Sequence, residues 1–150
     1  ETWSIAQNVE HLIVINESYF PIIDSVRQGT YKPPFTAKTG VMPWLFGKML
    51  YKAVQPDRKM KVKTFPMWEP AKSDIPTDIL DRFRKHQSEL KNIIKSSENL
   101  VKRGAIISSP ANKYIVFRLG KAFEIMVTHE KRHFEQSKEL YERMKSEASS

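Results

Sequence analysis

The chain has 150 residues and a mass of 17.5 kDa, so we expect residues 1–150 to form a single domain with its own core. Apolar residues make up 40% of the chain, charged residues make up 28%, and the formal net charge is +8, a composition that excludes a disordered polypeptide. There are no cysteines, which excludes disulfides, thiolate nucleophiles and cysteine metal sites and predicts a cytoplasmic protein.

The first predicted helix opens at Ser4, and Gln7 three residues later gives the spacing of a capping box. Apolar side chains then recur at helical intervals over residues 5–23. Pro21 lies inside this pattern, so we expect the helix to kink or end near Phe20.

The middle of the chain, from residue 28 to residue 76, holds seven of the nine prolines. Within it only Trp44–Val54 predicts a helix, opened by Pro43. A connection this long is uncommon in a compact domain and is often a lid or a pocket wall. Its aromatic residues, around Trp44 and Trp68, are candidates for such a wall.

Two further long helices follow. The second is predicted from about Thr77 to Arg103, with Gly104 as its stop signal, and the third from a point between Tyr114 and Lys121 to about Lys145. The chain shows no internal repeat and no clear run of alternating strand residues. The predicted fold class is therefore all-α, most simply a helix bundle.

The excess positive charge lies in residues 51–150, and its densest stretch is Lys52–Lys63. Elsewhere basic and acidic residues alternate as they do on solvated helix faces. Because no RNA-binding, zinc-finger or helix-turn-helix signature is present, we expect no nucleic-acid partner. No apolar run approaches the roughly 20 residues of a membrane span, and no signal peptide is visible, so we expect no membrane association.

Two histidines on the last predicted helix point to a metal site. His129 and His133 are four residues apart and share one face with the apolar positions, which are Leu119, Ala122, Met126, Leu140 and Met144. Buried imidazoles need partners, and one divalent ion would satisfy both rings. His11, at the flank of the first helix, is the candidate third ligand. Three imidazoles suit Zn, Ni or Fe(II), but spacing alone equally allows hydrogen-bonded core histidines.

Residues His129–His133 also match H-E-x-x-H, the zincin peptidase pattern, in which Glu130 would be the general base. A zincin needs a further ligand downstream, and only 17 residues follow His133. Glu130 falls towards the Phe134 side of the inner face and is a candidate acid–base group, with a solvated side chain as the alternative. We expect His86, in a charged neighbourhood, at the surface.

The order of these motifs resembles a known family. Trp3-Ser4 followed by His11-Leu12, then His129 and His133 with Gln136, is similar to the DinB/YfiT-like superfamily of metal-binding bundles. Its members carry a W-S-x6-H-L helix early and an H-x-x-x-H-x-x-Q helix at the end. The proline-containing run 66–76 and Leu119-Gly120 are similar too.

The resemblance implies an up-down four-helix bundle in which His11, His129 and His133 bind one divalent ion, Zn or Ni first and Fe next. It further implies a metal-dependent hydrolase, or a transferase that uses a thiol such as bacillithiol or mycothiol. The implied partners are a small-molecule substrate and a low-molecular-weight thiol, with a homodimer left open.

Two points stay open. Family members usually have a further helix before the tryptophan, so either that helix is missing here or Trp44–Val54 takes its place. An alternative function is a non-catalytic binding module that docks an acidic partner through Lys52–Lys63.

Overall fold

The computed structural model describes residues 3–57, 64–71 and 75–148, and these residues are mostly helical. The α-helices are α1 (Ile5–Glu17), α2 (Phe20–Arg27), α3 (Val41–Ala53), α4 (Ile79–Ser96), α5 (Glu98–Lys102) and α6 (Leu119–Ala148). A two-stranded antiparallel sheet pairs β1 (Ile106–Ser109) with β2 (Asn112–Arg118), and short 3-10 helices cover Phe35–Thr39 and Pro66–Trp68. Within these ranges no helix is long and apolar enough to cross a membrane.

The N-terminus of α1 is capped by Ser4 and Gln7. Ser4 Oγ accepts a hydrogen bond from the Gln7 backbone N–H at 3.1 Å, and Gln7 Oε1 accepts one from the Ser4 N–H at 2.8 Å. The predicted capping box is therefore confirmed. α1 ends at Glu17 and α2 begins at Phe20, with Pro21 in the first turn, where a proline removes no helical hydrogen bond. The predicted interruption near Phe20 is confirmed as well.

The core forms where α1 packs on α4 and α6 and where the two-stranded sheet packs on α2, α3 and α6. Its buried side chains include Tyr19, Ile23, Leu90, Ile107, Phe117, Leu119 and Met126. α3 packs on β2 and α6 and approaches them closely at Gly47, where an added Cβ would lie 3.0 Å from Lys121 Cγ. α3 is the helix predicted at Trp44–Val54. Of the predicted basic stretch Lys52–Lys63, residues 58–63 lie outside the described part of the chain.

The β1–β2 hairpin corrects the all-α prediction. Its strands are rich in β-branched and aromatic residues, and Pro110 lies in the turn between them. The apolar run Tyr114–Phe117 is short and continuous instead of alternating, which is why it gave no strand pattern. Ile107, Val116 and Phe117 are fully buried, so the hairpin is part of the core.

Two helix predictions are also corrected. The helix expected from Thr77 to Arg103 is two helices, α4 and α5, which meet at the buried Ser97, the second of two serines with weak helix propensity. On α6 the predicted apolar stripe is buried only up to His133, and Met144 is exposed. α6 has 30 residues and α1 only 13, so the C-terminal half of α6 extends beyond α1.

The hairpin's contribution to the core can be measured with two aromatic residues of β2. Because Phe117 is fully buried, we expect Phe117→Ala to lower the free energy of unfolding by about 3–5 kcal/mol in urea titrations. Tyr114 is 47% exposed, and we expect Tyr114→Ala to change it by only about 0.5 kcal/mol. Equal losses in the two variants would contradict this placement of the hairpin.

Candidate metal centre

Three histidines from two helices meet between α1 and α6. His11 lies on α1, and His129 and His133 lie one turn apart on α6. One ring nitrogen of each lies within 4.8 Å of the others, and the cluster could hold a metal ion. His11 and His133 are buried and His129 is half-buried. The structure therefore brings together the three side chains that the sequence singles out.

The ring of His133 is oriented by Asn8, one turn before His11 on α1. The Asn8 amide donates to the Ser4 carbonyl at 2.9 Å, which turns Asn8 Oδ1 towards α6. His133 Nδ1–H donates to that oxygen at 2.6 Å. Because an amide oxygen only accepts, the proton of the neutral ring lies on Nδ1 and the lone pair on Nε2.

His11 is oriented in the same way by the connection between α3 and α4. Its Nδ1–H donates to the Trp68 backbone carbonyl at 2.6 Å, so its lone pair also lies on Nε2. Trp68 is held on α1 by its indole N–H, which donates to Ser18 Oγ at 3.1 Å. The next residues are held as well, since the Ala71 N–H donates to Glu10 at 2.8 Å.

The donor set fits one divalent ion. His133 Nε2 lies 2.9 Å from His129 Nε2, so two imidazole nitrogens face each other in a buried place. Without an ion, His129 must donate its Nε2 proton to His133, whereas a shared cation would accept both lone pairs. Two nitrogens at about 2.1 Å from a tetrahedral zinc are about 3.4 Å apart. That value falls between the 2.9 Å pair and the 4.8 Å limit of the cluster.

The surroundings keep all three rings neutral, which is the form that binds metals. Burial lowers the pKa of His11 and lowers the pKa of His129 well below 6.5. Burial, with nearby His11 and Arg132, lowers the pKa of His133 to about 3. A positive charge on any of these rings would be poorly solvated and repelled by its neighbours.

Two further side chains border the cluster. Trp3 packs on His11, with ring centroids 4.9 Å apart, and stacks on His133 at 6.1 Å and an interplanar angle of 15°. Arg132 donates to the Gln55 carbonyl at 2.7 Å, which ties α6 to the chain just after α3. Trp3 therefore packs over the rings of His11 and His133. Arg132 places a positive charge near His133.

Glu130 lies in a second polar cluster. Its Oε1 accepts from Asn16 Nδ2 and from Gln87 Nε2, both at 2.8 Å, so it joins α6 to α1 and α4. Asn16 Nδ2 also lies 3.2 Å from His86 Nε2. Glu130 is half-buried between helices, whereas Phe134, one turn further along α6, is 65% exposed.

The surface position predicted for His86 is also wrong. Its side chain is 2% exposed and lies against Phe20 at 5.7 Å, with nearly parallel rings. Burial lowers its pKa, and the Glu17 and Glu130 carboxylates partly oppose that shift. No sign of this burial is visible in the sequence, because the neighbouring Arg84 and Lys85 are charged and exposed.

The supporting residues were missed by the sequence analysis. Asn8 and Asn16 are buried on α1, as His11 is, and an asparagine within the apolar pattern of a helix is a usable signal for a hydrogen-bonded partner. The role of Trp68 is carried by its backbone carbonyl, for which no side-chain motif exists. Trp68 reaches the cluster, while Trp44, the other proposed wall residue, is exposed on α3.

The chain is mostly helical, and its three neutral imidazoles converge on one place, which is a candidate metal site. Residues 1–137 match the family model of the DinB superfamily. The chain therefore belongs to the DinB superfamily, as the resemblance of its motifs predicts. No significant match to a curated protein or to a solved structure was found.

The neutral rings predict an acid-sensitive fold. The unfolded chain protonates His133 below a pKa of about 6.5, whereas the folded chain holds it neutral down to about 3. The contribution of this residue to the free energy of unfolding in chelator is therefore full above about pH 7 and falls below about pH 6.5, by about 1.4 kcal/mol per pH unit. Urea titrations between pH 7 and pH 5 measure the slope, which we expect His133→Gln to reduce. An unchanged slope in that variant would contradict the assignment.

Proposed function

We propose that the protein is a metal-dependent enzyme in which His11, His129 and His133 hold one divalent ion, Zn or Ni first and Fe next. The observation that carries this proposal is the tautomer pattern. Trp68 and Asn8 fix the Nδ1 protons of two rings, so that bare Nε2 atoms turn towards the third ring. Such outer partners are typical of metal-binding histidines.

Bound there, a divalent ion would supply Lewis acidity that lowers the pKa of a water or a thiol. The chain contributes orientation and exclusion of solvent. The hydrogen bonds from His11 and His133 fix the two rings, and Trp3 covers them on one side. Arg132 adds a positive charge beside the cluster, which favours an anionic nucleophile or substrate group there.

For Glu130 we propose the acid–base role. Two amide N–H groups, from Asn16 and Gln87, donate to its Oε1 and fix the carboxylate next to His129 in the chain. The H-E-x-x-H motif around Glu130 alone would also fit a zincin peptidase. In a zincin the third ligand follows the motif, whereas here the third imidazole is His11 on α1, which precedes it.

The substrate class we propose is a small molecule, with hydrolysis or transfer to a low-molecular-weight thiol as the reaction. We further propose that α1, α3, α4 and α6 act as the family's four helices within one domain, because α1 packs on α4 and α6 and α3 packs on α6. Both reactions need the same activated nucleophile, so the metal site comes first in any test.

Metal content tests the site. We expect about one equivalent of metal per chain in tag-free protein incubated with zinc and dialysed, and a loss of that metal in His129→Ala, because a ligand is removed. The matched control is His86→Phe, since His86 is buried in the bundle but stands outside the cluster and packs beside Phe20 and Phe83. Elemental analysis gives the stoichiometry. Metal-free wild type in excess zinc, or undiminished metal in His129→Ala, would contradict the proposal.

Activity separates the two reactions. We expect the zinc-loaded protein either to hydrolyse p-nitrophenyl esters or to consume bacillithiol or mycothiol in the presence of 1-chloro-2,4-dinitrobenzene. Glu130→Gln keeps the amide contacts at one oxygen but cannot accept a proton, so we expect at least about a hundredfold lower kcat with metal content unchanged. Full activity in Glu130→Gln would exclude the acid–base role while leaving the metal site standing.

A further inference from the structure

The fourth histidine of the chain, His86, is buried at the centre of the polar cluster that contains Glu130. Its side chain is 2% exposed, and the rings of Phe20 and Phe83 stack on it at centroid distances of 5.7 Å and 6.3 Å. The interplanar angles are 8° and 25°. These contacts fix the plane of the imidazole, so its two nitrogens meet their partners at the edge of the ring.

The neutral ring of His86 carries its proton on Nδ1. Burial lowers the pKa of His86, so the ring is neutral at pH 7. Its Nε2 atom lies 3.2 Å from Asn16 Nδ2, and an amide nitrogen can only donate, so the lone pair is on Nε2. The Glu17 carboxylate favours the same tautomer, because its Oε1 lies 3.6 Å from Nδ1.

Asn16 is held by the two partners of its amide protons. Its Nδ2 atom donates to Glu130 Oε1 at 2.8 Å and to His86 Nε2 at 3.2 Å. Its Oδ1 atom is buried and has no donor among the described residues, so the amide is oriented by its nitrogen alone. The reverse orientation would bring Oδ1 against the Glu130 carboxylate and the His86 lone pair, which is unfavourable.

Glu130 is held through a single oxygen by two helices. Asn16 donates to Oε1 from α1, and Gln87 Nε2 donates to the same atom from α4, both at 2.8 Å. Two donors on one oxygen fix the plane of the carboxylate. Among the described residues both of these hydrogen bonds go to Oε1, which leaves Oε2 for the exchange of a proton.

We propose that His86 is a positioning residue that acts on Glu130 through Asn16. His86 Nε2 takes one proton of the Asn16 amide, and the amide then presents its other proton to Glu130. The proposal rests on the acid–base role proposed above for Glu130. His86 lies outside the histidine cluster and is not itself a catalytic residue.

Packing alone does not explain a histidine at this position. A phenylalanine would fill the space beside Phe20 and Phe83 without adding polar atoms that need partners. It would, however, leave one proton of the buried Asn16 amide without an acceptor. The amide would then gain by rotating towards another acceptor, at the expense of its hydrogen bond to Glu130.

The tautomer of His86 can be measured in the wild type without an activity assay. Long-range ¹H–¹⁵N correlation spectra of the full chain, recorded with and without zinc, should show the proton of His86 on Nδ1. A proton on Nε2 would contradict the proposal, because that ring would need Asn16 Oδ1 as its acceptor and the amide would turn away from Glu130.

Kinetics of His86 variants test the positioning role. We expect His86→Phe to lower kcat by about tenfold, with KM and metal content unchanged, because Glu130 is present but less well oriented. His86→Gln should recover most of this loss, since its amide oxygen can accept from Asn16. The matched control is Ser97→Ala, which also removes a buried polar group, about 16 Å further along α4, and should keep the wild-type kcat.

A double variant separates this proposal from the function on which it rests. In the Glu130→Gln background we expect His86→Phe to lower kcat no further, because the group that it positions is already disabled. Full activity in Glu130→Gln would overturn both proposals. Reduced activity in Glu130→Gln together with the wild-type kcat in His86→Phe would overturn the positioning role alone.

Two further results would assign His86 a purely structural role. One is an equal loss of kcat in His86→Phe and His86→Gln that follows a loss of folded protein in circular dichroism melts. The other is a loss from His86→Phe that multiplies with the loss from Glu130→Gln. The tautomer measurement needs no variant, so it tests the hydrogen bonds even where a variant does not fold.

Discussion

The burial of three imidazole rings in one place is the constraint on which the rest of the site depends. A buried ring must leave no nitrogen without a partner and cannot carry its charge cheaply. Here the Trp68 carbonyl and the Asn8 amide satisfy the outer nitrogens of His11 and His133. The inner nitrogens are left facing one another, an arrangement that a divalent cation would satisfy at once.

That constraint also explains features away from the cluster. Ser4 caps α1 through its side chain, and its backbone carbonyl accepts a hydrogen bond from the Asn8 side-chain amide. One residue therefore both begins the helix and orients the hydrogen-bond partner of His133. The connection between α3 and α4 has to return to α1 to place the Trp68 carbonyl against His11, and it is fixed there through Ser18 and Glu10. The long proline-containing connection therefore has a structural role at the site.

The features that could be predicted from the sequence are those set by residues close together in the chain. The capping box, the break before Pro21 and the pairing of His129 with His133 are set by residues a few positions apart, and these were predictable. The burial of His86 depends on which side of α4 meets α1, and the hairpin depends on packing of Phe117 against the core. Both are tertiary effects that override local pattern. The hydrogen bond from His11 to the backbone carbonyl of Trp68 could not be predicted, because every residue type has such a carbonyl.

α6 carries two of the three histidines and also packs against α3. Anomalous diffraction from crystals grown with zinc would locate the ion itself. We expect one strong peak at about 2.1 Å from the Nε2 atoms of His11, His129 and His133. Saturating zinc with no peak among these three rings, or with an ordered peak held by other residues alone, would contradict the assignment of the cluster as a metal site.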